Sequence, residues 1–202
     1  RRPGGAQRML RVGVGGGPAH GEDLRRPHRD AREPGKLRKL RMEDRLILLL
    51  GRHWRRQARH IRERLQRSTT FPQRFDIVTD AIMAQFDDDF WQAEEAEIIA
   101  GLEKLLAEAA RDGVSLFADA SRIGLDYTLT NIEAAEWARQ YAFDLIKDID
   151  ATSRAALQEA IAAFVETPGM TIGDVMRQLP YDETRAQSIA ITEATRAYAQ
   201  GN

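Results

Sequence analysis

The chain contains no cysteine, so disulfide bonds and thiolate chemistry are excluded. It also lacks a long apolar run. The longest strong one, Leu46 to Leu50, has five residues, whereas a membrane-spanning helix needs about 20 and the core of a signal peptide about 7–15. Histidine is scarce: His20 and His28 lie near the start, and His53 and His60 are two helical turns apart, too far for a helical zinc pair. We therefore predict no metal and no cofactor.

Charge is divided unevenly along the chain, although the formal net charge is only −1. Residues 1–67 hold 20 of the 30 Lys and Arg and 7 of the 31 Asp and Glu, a net charge of +13, whereas residues 68–202 carry −14. Such a split is typical of a basic arm that meets an anionic partner, attached to an acidic body. The simpler alternative is that residues 1–41 do not belong to the folded protein.

Residues 1–41 are rich in Arg, Gly and Pro and show no apolar periodicity. A segment of this composition buries too little apolar surface to offset its ordering entropy, so we expect a disordered basic arm. Met42 stands just before the first periodic segment. One expectation is that the natural protein starts at Met42, with upstream read-through or a fusion remnant before it; the alternative is that the arm is native.

From residue 43 onward the apolar residues recur at helical spacing, and we find no convincing strand or hairpin signal. Caps and breakers predict helices over 43–67, 74–111 (unbroken or as a broken pair), 115–123, 130–147, 151–166, 171–179 and 182–200. The predicted caps are Thr130, Asp150, Thr171 and Asp182, and the predicted stops are Asp112-Gly113 and Pro168-Gly169. The predicted fold class is all-α, an elongated multi-helix protein with a disordered basic N-terminal arm.

The apolar stripes predict which side chains form the core. The expected core residues are Leu50, Trp54, Ile61 and Leu65 in the first helix, Val78, Ile82, Phe86, Ile98, Leu102, Leu105, Leu106 and Ala109 in the second, Ile132, Trp137, Tyr141 and Leu145 in the fourth, with Ile149 as an optional member, and Leu157, Ile161 and Phe164 in the fifth. We expect the tryptophans and tyrosines at helical spacing to pack in this core.

The last predicted helix carries a carboxylate inside its apolar stripe, because Ala186, Ala190, Glu193 and Ala197 fall at i, i+4, i+7 and i+11. A buried carboxylate is costly unless it is paired, and Arg196 or Arg185 can supply the partner. The alternative is an intrahelical i, i+3 pair worth about 0.2–0.5 kcal/mol. The predicted structural or interface network consists of Arg185, Thr192, Glu193, Arg196 and Tyr198.

The first helix has a basic face that suits an anionic partner. Its candidate nucleic-acid contacts are Arg52, Arg55, Arg56, Arg59 and Arg62. Arginines on one helix face can follow phosphates without reading base sequence. The alternative is a solvated face opposite a stripe that packs on the body or on a partner helix, and a membrane-surface helix is a weaker third option.

The run Asp87-Asp88-Asp89 lacks the glycine turn and the terminal glutamate of a calcium loop. Three consecutive residues of a helix also point in different directions. We therefore expect a solvated face and not a metal site.

Three segments in the second half form a recognisable set: LDYTLTNIEAAEWARQYAFDLIKDID over 125–150, the pattern Asp150-x-Thr152-x-Arg154, and the ending ITEATRAYAQG that follows Arg185-Ala186. Together they resemble the phage head-morphogenesis proteins of the Mu F-like minor head (minor capsid) family. The resemblance covers residues 124–202, with 43–123 only as a helical lead-in. Ile191 stands where that family usually has Arg, and the family usually continues into a further region, so a truncated member is expected.

The resemblance implies a non-enzymatic minor head protein that acts in capsid assembly and DNA packaging through contacts with the portal vertex. The implied partners are the portal protein and other capsid or scaffold proteins, with non-specific DNA second and neither membrane nor small-molecule substrate. The implied location is the virion, and the host cytoplasm during assembly. The implied division is an arm over 1–41, a helical lead-in over 43–123 and a helical head-morphogenesis module over 124–202.

Two alternatives stay open on the sequence alone. One is an N-terminal delivery or adaptor module of a longer toxin-type protein. The other is a free-standing basic helical DNA-binding protein, which predicts steep salt dependence and loss of binding when residues 1–67 are deleted.

Overall fold

The structure is a computed structural model that describes residues 32–68, 75–122, 124 and 126–200. These residues form α1 (Arg32–Ser68), α2 (Phe75–Met83), α3 (Asp88–Ser121), α4 (Tyr127–Glu166), α5 (Ile172–Gln178) and α6 (Glu183–Gln200). No strand occurs in these ranges, so the prediction of an all-α fold is confirmed. Over residues 1–31 the predicted arm lies outside the described ranges.

The first helix begins at Arg32 and not at residue 43, so the expectation of disorder is wrong for residues 32–41. Pro34 stands in the first turn, where a missing N–H removes no helical hydrogen bond. Gly35 lies beside Leu116 of α3; a Cβ there would be 3.0 Å from the Leu116 Cδ1. Met42 and Leu46 are buried and continue the apolar stripe toward the N-terminus. Packing of this part of α1 on α3 therefore stabilises a helix over residues that include Pro34 and Gly35.

Four long helices pack in alternating directions. Helix α3 is the central one and contacts α1, α4 and α6, and α1 also packs on α6. Directions follow from the pairs Arg38–Asp112 and Arg56–Glu94 (α1 on α3), Asp88–Arg154 (α3 on α4), and Tyr141–Glu193 and Ile149–Arg185 (α4 on α6). The arrangement is therefore an up-down-up-down four-helix bundle, to which α2 and α5 are added at one end.

The bundle contains two apolar clusters, one toward each end. The α6 core joins the first half of α1, the second half of α3, the first half of α4 and α6, with Leu50, Leu106, Ile146 and Ala190 among its buried members. The α5 core joins the second half of α1 to α2, α5 and the facing ends of α3 and α4, with Ile61, Trp91, Leu157 and Val175 among its buried members. Both cores draw residues from either side of residue 124.

Helix α3 does not stop at Asp112-Gly113, and residues 115–121 of the predicted piece 115–123 are the last turns of the same helix. Gly113 is needed for another reason, because a Cβ at this position would lie 2.3 Å from the Tyr198 carbonyl oxygen. The sequence left open whether residues 74–111 form one helix or two, and the structure has two. Helix α2 ends at Met83, and Asp87 caps α3 by accepting from the Phe90 N–H at 3.0 Å. Asp88 and Asp89 are exposed in the first turn, as predicted.

Helix α4 runs unbroken from Tyr127 to Glu166, so Asp150 is not a cap and the predicted helices 130–147 and 151–166 are one. Its N-cap is Asp126, which accepts from the Thr128 and Leu129 N–H groups, and not Thr130. Three other predictions are confirmed. Pro168-Gly169 follows the end of α4, Thr171 caps α5 in a capping box with Asp174, and Asp182 accepts from the Arg185 N–H at 2.8 Å at the start of α6.

Small residues form the contact stripe of the first half of α4. Ala134, Ala138 and Ala142 are buried at i, i+4 and i+8 and let neighbouring helices approach closely. The bulky residues lie to the side: Trp137, Tyr141 and Leu145 are half-buried, and Ile132 is 52% exposed, so its predicted burial is wrong. The other predicted core residues are buried, apart from the half-buried Phe164 and Val78, whose side chain lies outside the described part.

Candidate functional site

Glu193 is buried between α6 and α4, with 6% of its surface exposed. The Tyr141 hydroxyl donates to its Oε2 at 2.5 Å. Arg196 Nη1 lies 3.2 Å from Oε1, and the same guanidinium reaches the Tyr141 hydroxyl and lies over the Tyr141 ring. The Tyr141 ring in turn stacks on Trp137 with centroids 5.0 Å apart. The carboxyl is therefore held across two helices and is more than an intrahelical pair.

Burial raises the pKa of Glu193 to about 7. A carboxyl removed from water favours its neutral form, because the ionised form loses hydration. Near neutral pH the group is therefore divided between its two forms. It can accept the Tyr141 hydrogen bond in both, and it attracts the Arg196 guanidinium only when ionised.

The five residues predicted as one network lie in four places. Arg185 does not contact Glu193; its guanidinium donates to the backbone oxygens of Pro180 and Ile149 and lies over the Trp54 ring. Thr192 is exposed and its hydroxyl donates to the Ser188 oxygen within α6. Tyr198 donates to Asp112 Oδ2 at 3.2 Å near the end of α3. Of the five, Glu193 and Arg196 alone are in contact with each other.

Sequence reasoning missed Tyr141 as the main partner of Glu193 and placed it in the core. The i, i+4 spacing of Trp137 and Tyr141 puts both rings on one side of α4, but nothing in the sequence says that α6 lies there. The antiparallel packing of α4 and α6 brings residues 52 positions apart into hydrogen-bond contact.

Of the five arginines predicted on the basic face of α1, one forms ion pairs within the protein and four form none with described residues. Arg56 is half-buried and pairs with two carboxylates of α3, at 3.2 Å from Glu94 and 2.5 Å from Glu97, so it does not face an outside partner. The remaining arginines are exposed and have no ion pair among the residues that the structure describes: Arg52, Arg55, Arg59 and Arg62. At spacings of three, four and three residues they occupy one outward face.

A layer of buried polar residues separates the two apolar cores. Gln57 donates to Asp150 Oδ1 at 3.1 Å and accepts from the Tyr181 hydroxyl. His53 Nε2 lies 3.7 Å from the same Asp150 oxygen. Four buried atoms of this layer have no hydrogen-bond partner in the described ranges: His53 Nδ1, His53 Nε2, Trp54 Nε1 and Asp150 Oδ2. The layer sets the register of α1 against α4.

Ser153 lies in the same layer, so the residue types of a hydrolase triad occur together there. Ser153 is fully buried, and its hydroxyl donates to the Ile149 oxygen at 3.0 Å. A nucleophile must reach a substrate carbonyl and have its proton taken by the base. The Ser153 hydroxyl is bonded to the backbone and shielded from any substrate. The arrangement of Ser153, His53 and Asp150 therefore favours a role in helix packing.

The two described histidines do not face each other. His53 belongs to the polar layer, and His60 Nδ1 lies 2.5 Å from the buried carboxylate of Glu94. No group of three metal-ligating side chains occurs in the described part of the chain. Among the described helices, none has both the length and the apolar character that crossing a bilayer requires.

The outward side of α4 carries apolar residues that the fold does not cover. Leu129 and Ile132 are each 52% exposed and Phe143 is 44% exposed. At 100° per residue the three lie on one side of the helix, opposite the alanine stripe. We call them the α4 outer face. Lys147 extends over the Phe143 ring at 4.5 Å, which leaves the leucine and the isoleucine as its uncovered part.

Comparison with protein-family models, with curated proteins and with solved structures gives no match for this chain.

Proposed function

We propose that the protein is a non-enzymatic minor head protein of a phage or prophage, which acts in capsid assembly through contacts with the portal vertex. The observation that carries this proposal is the α4 outer face. Leu129, Ile132 and Phe143 lie within the segment that resembles the head-morphogenesis family, and the fold leaves them exposed. Leu129 and Ile132 lie one helical turn apart, and neighbouring exposed apolar side chains favour contact with another protein.

The buried polar groups support the same proposal. Glu193, Glu94 and Asp150 each contact side chains of a neighbouring helix. Carboxyl groups held in this way orient the helices against one another. The portal protein would then contact the outer surface of the bundle, while these buried groups fix the helices relative to one another.

The test is a co-expression pull-down with the portal protein encoded beside this chain, at about 0.5 M salt, where exposed charge contacts are largely screened. We expect a stoichiometric complex that the double variant Leu129→Ser/Ile132→Ser reduces at least tenfold. Ile191→Ser is the matched control, because Ile191 is 51% exposed on α6. No complex with folded, soluble portal protein, or equal loss in the control, would contradict the proposal.

The second candidate function is non-specific DNA binding, which the four free arginines of α1 favour. Each phosphate contact would lower the logarithm of the affinity by about 0.9 per tenfold rise in salt. Two results together would select this candidate: binding to duplex DNA that is lost well below about 0.5 M salt, and no complex with the portal protein at about 0.5 M salt.

A further inference from the structure

A groove of about 510 Å³ lies between α1 and the segment where α5 leads into α6. Two small residues of α1, Gly51 and Ala58, stand seven residues apart and leave room along it. The remaining apolar lining consists of Ile47, Leu48, Trp54, Met176 and Ala186. This surface is separate from the α4 outer face, so a role for the groove does not depend on the proposed function.

The two sides of the groove carry opposite charges. Arg55 and Arg62, from α1, line one side and have no ion pair among the described residues. Asp182 and Glu183, from the start of α6, line the other. The acidic side disfavours a polyanion, whereas a partner with one acidic and one basic flank would satisfy both sides.

The apolar part of the groove is open to a partner. Leu48 is 55% exposed at its mouth. Trp54 is buried in its wall, stacked on Tyr181, and its indole N–H has no acceptor among the described residues. From Leu48 to Arg62 the groove side of α1 comprises 15 residues with a rise of about 21 Å, a length that a partner helix of about 15 residues covers.

We propose that this groove binds an amphipathic helix of a partner protein, with an apolar stripe toward the exposed Leu48 and the half-buried Ile47 and Met176. The partner helix has acidic residues on the flank beside Arg55 and Arg62 and basic residues on the flank beside Glu183. Helix-in-groove recognition uses anchors at i, i+3, i+4 and i+7, and it needs small residues where the helices approach.

The experiment measures fluorescence anisotropy of labelled 18-residue helical peptides with the full chain at about 0.15 M salt. One peptide has leucines at i, i+4, i+7 and i+11, glutamates on one flank and lysines on the other. A second peptide has lysines on both flanks, and a third has the first peptide's composition with the leucine stripe scrambled. We expect the first peptide to bind at least tenfold more tightly than either of the others.

Two charge-reversed variants decide where the peptide lies. Arg55→Glu/Arg62→Glu should weaken the first peptide at least tenfold and strengthen the peptide with lysines on both flanks at least tenfold. Arg52→Glu/Arg59→Glu is the matched control, because it has the same helix, charge change and seven-residue spacing but lies outside the groove lining. It should change both affinities less than threefold. The gain of binding shows that the groove variant is folded.

Four outcomes would overturn the proposal. Equal weakening by the two variants would assign the effect to the general positive charge of α1. Equal binding of the scrambled peptide would remove the role of the apolar stripe. Displacement of the peptide by an equimolar 20-base-pair duplex, or a self-associated chain that Leu48→Gln dissociates, would assign the groove to nucleic acid or to a second copy instead.

Discussion

The surroundings of the Glu193 carboxyl have opposite effects on its pKa. Burial favours its neutral form, whereas the nearby Arg196 guanidinium favours the ionised one. The Arg196 side chain is itself 54% exposed, so water screens its charge. The result is a pKa of about 7, well above the value of 4.5 for a carboxyl in water.

This pKa predicts a stability change with pH. Between pH 4.5 and 7 the folded state binds more protons at this site than the unfolded state, so the site lowers stability as pH rises through that range. We expect Glu193→Gln, which cannot ionise, to gain up to about 3 kcal/mol relative to the parent between pH 5 and pH 8. Urea unfolding followed by circular dichroism at the two pH values measures it.

The exposed Glu136 on α4 provides the control. Glu136→Gln should keep the pH dependence of the parent within about 0.5 kcal/mol, as surface substitutions usually do. If Glu193→Gln instead lost stability equally at both pH values, its carboxyl would act as a fixed partner of Arg196 and not as a titrating group.

At the scale of elements, the packing of α3 against α6 depends on a missing side chain. Gly113 is buried, and the backbone of α6 passes directly over it at Tyr198. The Tyr198 hydroxyl bonds Asp112 at the same crossing, and burial raises its pKa, so it remains a proton donor. The two contacts fix where α6 ends against α3.

Gly113→Ala should therefore destabilise the protein by about 1–3 kcal/mol, because the backbone of α6 must move to admit the methyl group. The measurement is the urea midpoint at neutral pH. Gly51→Ala is the matched control on α1, where the new Cβ meets nothing closer than the Arg55 side chain at 3.4 Å. The control should gain about 0.5–1 kcal/mol from helix propensity. A Gly113→Ala variant as stable as the parent would show that the crossing has room for a methyl group.

At the scale of the whole molecule, three continuous helices connect the two cores. Helices α1, α3 and α4 each contribute to both, and the polar layer joins α1 to α4 between them. A helix of 40 residues such as α4 extends about 60 Å. Loss of either core should therefore weaken the packing of the other.

Leu157→Ala, in the α5 core, and Leu50→Ala, in the α6 core, should each cost about 2–4 kcal/mol. We expect each substitution to lower hydrogen-exchange protection in α5 and in α6 together, because the connecting helices unfold as one unit. Mass spectrometry of peptides from the two helices measures it. Ile132→Ala, at an exposed position, should leave both within about 0.5 kcal/mol. Protection lost only at the mutated end would mean that the cores unfold separately.

Much of the fold and part of the candidate site could be predicted from the sequence. The buried stripes of α1 and α3, the capping box at Thr171 and the stop at Pro168-Gly169 depend on local spacing and backbone preference, which sequence records directly. Glu193 was also found this way, since a carboxylate within an alanine stripe is visible in the sequence. The exposed face of four arginines follows from their spacing, but the pairing of Arg56 with Glu94 and Glu97 does not, because these partners come from another helix.

The sequence by itself determined that the chain is helical, where most apolar stripes lie and which carboxylate needs a partner, because these are properties of neighbouring residues. The tertiary structure alone decided what crosses between helices. It made Asp150 a buried acceptor in the middle of α4 and not a cap, Gly113 a point of helix contact and not a stop, and Tyr141 the partner of Glu193. In each case the decision depends on packing or hydrogen bonding with a distant segment, which outweighs local preferences of about 1 kcal/mol or less.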